Sequence, residues 1–311
     1  MESLNRMAIE LADEALEFAD ELGVFPHQLE NGATVIDFGV ESHGGIEAGL
    51  LLTELQTAGL ATVQTRMDTV AGSPFPHVEV TTDQPGLALL GSQKSGWELS
   101  QEGFEGLGSG PARALVAEET EFQTLDYADA FDLAVLAVES DVLPTASVAA
   151  HVADRCGVAP ETVYLPTYRT GSVAGSVSGA GRVAELAVFR LFELGYNPGD
   201  VLTASGSAPI PPVPATEETA MGRVNDSVVY GGQVHLTVRE DDTVLEDVAS
   251  TAAVTYGEPF GAIYEHVDWD LSAIDPAVFG PAQVTIDVVG GPTYTAGEVY
   301  ESILVESFDL D

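Results

Sequence analysis

Arg182 and Glu185 are the residues whose types and spacing best suit chemistry. They stand three positions apart, where the glycine- and serine-rich stretch 171–181 gives way to an apolar-periodic segment. Three residues is close to one helical turn, so both side chains project from the same side of a helix start. A glycine-rich approach lets a ligand come close to backbone N–H groups, and a helix N-terminus adds partial positive charge. A carboxylate beside a guanidinium has its orientation and protonation set by that neighbour, which suits Glu185 to general acid/base work. Within this segment alone, a solvated surface Arg–Glu pair would read the same way.

A second group of cations lies upstream. Lys94, in LGSQKSGW, is the chain's single lysine, and where lysine is absent everywhere else a survivor points to a cation facing a ligand. Gly108-Ser109-Gly110-Pro111 leads into ARALVAEE, a proline-led helix start that leaves backbone donors for an anion. Arg113 would sit in the first turn, opposing the helix dipole, as if facing a ligand carboxylate or phosphate; an ordinary capped helix with a solvated arginine fits equally. No GxGxxG follows a strand, and no P-loop or nucleophile elbow occurs. Ser176 and Ser178 read as loop residues and not as nucleophiles. What remains is acid/base chemistry on a bound small molecule.

These residues need elements to place them. A helix is expected over 3–22, capped by Ser3 and ended by Gly23, followed by a turn at Asn31-Gly32 and a strand over 33–38. A helix over 46–57 and strands at 61–66, 77–82 and 86–91 precede the Lys94 loop. A buried strand over 131–138, a helix over 145–155, a strand over 162–166 and the long helix from Gly181 to about Leu194 come next. The stretch 205–215, SGSAPIPPVPA, is too proline-rich for helix or central strand and reads as a rigid loop. Val228–Tyr230 meets Gly231-Gly232 and a strand from about Gln233 to Arg239; Trp269 falls in an acidic loop, and the end is strand-rich. Helices and strands alternate without a regular βαβ rhythm. The expectation is a mixed α/β, α+β chain of two lobes, 1–125 and 126–311, with a substrate pocket between them.

Composition bounds the partners. Ten basic residues face fifty acidic ones, a formal net charge of −40. Nucleic acid and anionic membrane surfaces are excluded, because both need clustered Lys and Arg. The acidity is spread along the chain, as in a folded protein kept soluble by hydrated carboxylates in high salt. With one cysteine, Cys156, no internal disulfide can form, and the six histidines show neither HxxxH nor HExxH spacing. No segment reads as a signal peptide or a membrane span, so a cytoplasmic protein without a metal is expected.

Several blocks occur together in one order: ENGATVIDFG (30–39), LGSQKSGW (90–97), GSGPARAL (108–115), GRVAE (181–185), SAPIPP (207–212), Asn225-Asp226 before YGG (230–232), and TYGEPF (255–260). In this the chain resembles archaeal methenyltetrahydromethanopterin cyclohydrolase over nearly its whole length, as a halophilic member. It departs from the family at 161–181, where Ser178 stands in place of glutamine. The resemblance implies water attack on the amidinium bridge N5=CH–N10 of a pterin C1 carrier, giving the N5-formyl product without a cofactor. Glu185 would carry the proton and Arg182 would orient it. Gln93, Lys94, Ser109, Gly110, Arg113, Ser172, Ser207 and Tyr230 would bind the pterin or its anionic tail. A cytoplasmic homotrimer is implied. Methenyl-tetrahydrofolate as substrate, a non-catalytic pterin- or phosphate-binding module, and an amidohydrolase with a metal built from scattered His and Asp are the alternatives.

Overall fold

The computed structural model describes residues 2–42, 44–267 and 273–310; the loop expected around Trp269 lies outside the described residues. In chain order the strands are β1 (Phe25–Gln28), β2 (Thr34–Gly39), β3 (Thr62–Val70), β4 (Ser73–Thr82), β5 (Ser95–Gln101), β6 (Phe104–Ser109) and β7 (Ala134–Val135). They continue with β8 (Ala137–Glu139), β9 (Val163–Tyr168), β10 (Val201–Pro209), β11 (Gln233–Val238), β12 (Gln283–Val288) and β13 (Thr293–Gly297). The chain is mixed α and β, as its alternating patterns predict.

It divides into one unit of residues 1–61 with 86–178 and another of 62–85 with 179–311. This differs from a single join at 125/126. Strand pairing decides the matter: β7, β8 and β9 join the sheet of β2 and β6, while the β3–β4 hairpin pairs with β10. Backbone pairing over such sequence distances is invisible to local pattern.

In the first unit the sheet order is β1-β2-β9-β8-β6-β5, with β7 on β9. β2 and β9 are parallel, and β2 is buried on both faces; its one charged residue, Asp37, is satisfied by the backbone N–H groups of Gly39, Val40, Glu41 and Ser42. Ile36 and Phe38 pack with Leu4, Leu52 and Leu55 of the helices Leu4–Glu17 and Ile46–Gln56. Val35 and Leu165 pack with Val148 and Val152 of the Ala146–Cys156 helix. Ser3 caps the first helix through Arg6 N–H, and Gly23 ends the short helix Ala19–Leu22 with φ 67°, both as predicted.

Residues Gly86–Gln93 are a π-helix and not the expected strand, with Lys94 N–H reaching Leu89 O at 2.8 Å. A short apolar run such as Leu87–Leu90 carries no period that separates the two. The stretch 171–181 likewise contains a helix, Val173–Ala180, and not an open loop. The stretch is closely packed: a Cβ on Gly175 would lie 2.1 Å from Arg169 O, and one on Gly49 of the Ile46–Gln56 helix would lie 2.5 Å from Val177 Cβ.

The second unit has the sheet order β13-β12-β11-β10-β4-β3. Its strands alternate cleanly, as β11 and β12 show, with one apolar face and one polar face. Ser205–Pro209, expected in a loop, completes β10. Only residues 210–216 are irregular, and Arg223 Nη1 fixes them through Pro212 O at 3.2 Å. Val228–Tyr230 belongs to the helix Glu217–Gly231.

Candidate active site

Arg182 is the N-cap residue of the helix Val183–Glu193, and Glu185 stands in its first turn. Gly206 of β10 lets the helix start sit directly on the strand: a Cβ there would fall 2.7 Å from Val183 Cγ1 and 3.0 Å from Ala184 N. Glu185 is 1% exposed. Its Oε2 accepts from Arg182 Nε at 3.0 Å and from Nη2 at 2.8 Å. Its Oε1 is buried and has no hydrogen-bond partner among the described residues. Burying a carboxylate is costly unless its oxygens are satisfied, so one oxygen is held and the other is left to meet a proton or an outside donor. Glu185 is thus buried beside an Arg182 whose side chain is 18% exposed, and the reading of a solvated surface pair fails.

In the first unit, Gln93 and Lys94 close the π-helix, and Gln93 is fully buried. Lys94 Nζ lies 2.9 Å from Glu121 Oε1 and 3.4 Å from Glu119 Oε2, with its side chain 15% exposed. Burial pushes the Glu119 carboxyl upward, but Arg113 by hydrogen bond and charge, and then Lys94, hold it below its ordinary value. Glu119 and Glu121 are not among the site residues the sequence points to; they fall just before the expected join between lobes at 125/126. The one available signal was that a lone lysine in so acidic a chain must find counter-charge; which acids supply it depends on the fold.

Arg113 is engaged by the protein's own acceptors. It is fully buried, and its Nη1 donates to the carbonyls of Leu90 (3.3 Å), Ser92 (3.2 Å) and Lys94 (2.6 Å). Nε and Nη2 both engage Glu119. Every guanidinium nitrogen already has an acceptor, so the residue clamps the turn that carries Gln93 and Lys94. At Gly108–Pro111, where an anion site is expected, the backbone is likewise engaged within the protein. Gly110 holds φ 105°, which requires glycine, but its N–H donates to Ser92 O at 2.8 Å, and the next helix, Ala112–Val116, is only five residues long. Ser109 Oγ accepts from Gln56 Nε2 at 3.2 Å.

Three other expected contacts are engaged structurally. Ser172 Oγ donates to Arg169 O at 2.8 Å and accepts from Gly175 N at 2.9 Å, capping the Val173–Ala180 helix. Ser207 points to the sheet face opposite Gly206, away from the helix of Glu185. There it lines a shallow depression of ≈ 360 Å³ with Thr81, Ser205, Gln233 and His235. Tyr230 is fully buried against Tyr256 and Tyr300; its hydroxyl donates to Glu258 O and accepts from Gly257 N–H. Burial pushes its phenol up to about 12. The fold therefore gathers Gln93, Lys94, Ser109, Gly110 and Arg113 in one unit and pairs Arg182 with Glu185 in the other. Among the described residues, no group of three or more His, Cys, Asp or Glu is arranged to hold a metal. No described helix is long and apolar enough to cross a membrane.

Residues 3–308 match the model of the cyclohydrolase (MCH) family. The chain is 62% identical over 310 residues, covering all of both chains, to a methenyltetrahydromethanopterin cyclohydrolase of Halobacterium salinarum. It is 39% identical over 315 residues, 99% of this chain and 98% of the other, to the protein of that name from Methanocella arvoryzae. With the one from Methanosphaerula palustris the identity is 38% over 314 residues and all of both chains. Matched from end to end by model and relatives alike, the chain belongs to the cyclohydrolase (MCH) family.

Proposed function

We propose that this chain is a methenyltetrahydromethanopterin cyclohydrolase, which hydrolyses the methenyl bridge of the C1 carrier reversibly to the N5-formyl form. Membership of the family supports the reaction. The observation that carries the mechanism is the divided environment of Glu185, with Oε2 clamped by Arg182 and Oε1 buried without a partner among the described residues. The bridge carbon is part of an amidinium cation and is already electrophilic, so the protein's task is to move protons.

As water attacks that carbon, the new C–O bond forms and Glu185 Oε1 takes a proton from the water. The C–N10 bond then breaks, its electron pair goes to N10, and Glu185 returns the proton there. The adduct's remaining hydroxyl proton leaves for solvent as the formyl C=O forms, so the cationic substrate and water give a neutral product and one proton. Proton transfer by a positioned carboxylate is worth roughly a hundred- to ten-thousandfold in rate, and Arg182 keeps Glu185 in one orientation through both transfers. Gln93, Lys94 and Ser109 bind the carrier. No resident cofactor or metal takes part.

The working medium is concentrated salt, where a chain of net charge −40 is screened from its own repulsion. A cytoplasmic homotrimer completes the reading. The test is loss of methenyl absorbance in multimolar KCl, with methenyl-tetrahydromethanopterin and methenyl-tetrahydrofolate offered in parallel, each with and without chelator. Chelator-insensitive turnover of the first carrier is expected. Turnover of the folate alone would reassign the substrate, loss on chelation would indicate a metal hydrolase, and binding without turnover would make this a binding protein.

A further inference from the structure

Gln56 ends the Ile46–Gln56 helix and is fully buried. In TELQTAG it reads as an ordinary helix-end residue, yet four distant segments converge on it. Its side-chain Nε2 donates to Ser109 Oγ at 3.2 Å and to Tyr168 Oη at 3.1 Å, at the ends of β6 and β9. Its Oε1 accepts from Ser178 Oγ at 2.8 Å, in the Val173–Ala180 helix. Its main-chain carbonyl, one of those a helix C-terminus leaves unpaired, accepts from Ser92 Oγ at 2.6 Å. A carboxamide has two donors and a carbonyl acceptor, and here both ends are used.

The company is informative. Ser92 directly precedes Gln93 and Lys94, and Ser92 O receives Gly110 N–H, so the lysine turn and the Ser109–Gly110 turn are tied to each other as well as to Gln56. Ser178 stands four residues before Arg182 in the chain. A fully satisfied buried amide adds little net stability, but it fixes the relative place of the groups it joins.

We infer that Gln56 is a positioning residue for the carrier: it sets the register of the Ser92–Lys94 turn against Ser109, so that Gln93 and Lys94 meet the ligand in one arrangement. This rests on the reading of Gln93 and Lys94 as carrier ligands. Gln56 touches neither Arg182 nor Glu185 through any of these bonds, so its loss weakens carrier binding and leaves the proton chemistry alone.

The test is steady-state kinetics on the full chain in multimolar KCl with methenyl-tetrahydromethanopterin. Gln56→Met keeps length and removes all three side-chain bonds; Ser92→Ala removes only the tie to the helix end and serves if the first variant folds poorly. Val152→Ala, a core change in the same unit, controls for lost stability, and Lys94→Ala tests the underlying reading. Gln56→Met is expected to raise KM roughly tenfold with kcat within about twofold, Ser92→Ala to raise KM severalfold, and Val152→Ala to lower the melting temperature with KM unchanged. If Lys94→Ala raises KM while Gln56→Met and Ser92→Ala alter only the melting temperature, the positioning role is wrong and the site reading stands. If Lys94→Ala also leaves KM unchanged, the site reading fails and takes the positioning role with it.

Discussion

Glu185→Gln separates proton transfer from everything else Glu185 does. Both Arg182 donors go to a single oxygen, at 3.0 and 2.8 Å, and an amide oxygen can accept both. The amide nitrogen then falls where Oε1 now lies, and it can donate a proton but not take one. The variant should fold. Weaker neutral hydrogen bonds to Arg182 are offset by relief from burying a carboxylate, leaving a net change within about 1 kcal/mol, or a few degrees of melting temperature. Turnover should fall by roughly a hundred- to ten-thousandfold, equivalent to about 3–5 kcal/mol of lost transition-state stabilisation. Because the interaction lost belongs to the transition state, kcat and kcat/KM should fall together. The assay is the decay of methenyl absorbance under saturating and limiting substrate, with circular dichroism recorded in the same salt. Glu185→Asp makes the companion case: a carboxylate shorter by one methylene still accepts protons but cannot reach both Arg182 and the water, so it should keep part of the activity. A folded Glu185→Gln protein with wild-type kcat would show that another group carries the proton.

Arg113→Met takes the guanidinium from the Leu90, Ser92 and Lys94 carbonyls and leaves Glu119 with Lys94 alone; it should cost about 3–5 kcal/mol of stability by thermal unfolding in high salt, and Arg113→Lys should not restore it because one ammonium cannot replace a planar fork. Asp226 is buried with its carboxyl accepting from Phe260 N–H at 2.7 Å; burial, with a push from Glu306, raises its pKa to about 6 from 3.8, although the Ser307 and Phe260 bonds oppose the rise. The unfolded chain therefore releases this proton first, and stability is lost as pH climbs from 3.8 to about 6. Asp226→Asn should melt with wild type near pH 4 and be more stable by up to about 3 kcal/mol at pH 7; an Asn variant less stable at neutral pH would refute the assignment.

Local signals were legible wherever the physics is local. The Ser3 cap, the helix end at Gly23 and the strand beginning at Gln233 are set by a few neighbouring residues, and the structure has them where the sequence predicts. The misreadings share one cause. Glycine-rich 171–181 looks flexible, but at Gly175 the backbone comes within contact distance of Arg169, and Val177 packs against Gly49 of the Ile46–Gln56 helix. Leu87–Leu90 looks like a strand because a buried segment of either kind is apolar on every side. The hairpin of β3 and β4 belongs with β10 through pairing that no window of sequence contains.

The same division runs through the site. Arg182 and Glu185 were legible because a carboxylate three residues from a guanidinium on a helix start has few other places to go. Lys94 and Arg113 looked alike in sequence, two cations beside glycine-rich turns in a chain with ten basic residues against fifty acidic ones. What distinguishes them is how far the fold has taken them out of solvent. Arg113 is fully committed to Leu90, Ser92, Lys94 and Glu119, whereas the Lys94 ammonium stands partly exposed beside Glu119 and Glu121. Two cations and two carboxylates make this cluster formally neutral within a chain of net charge −40, the condition for burying it at all. Lys94 is thus retained for internal balance as well as for any ligand. A rare residue type marks a place where the fold needs that charge, and only the inventory of its partners shows whether a ligand can use it too.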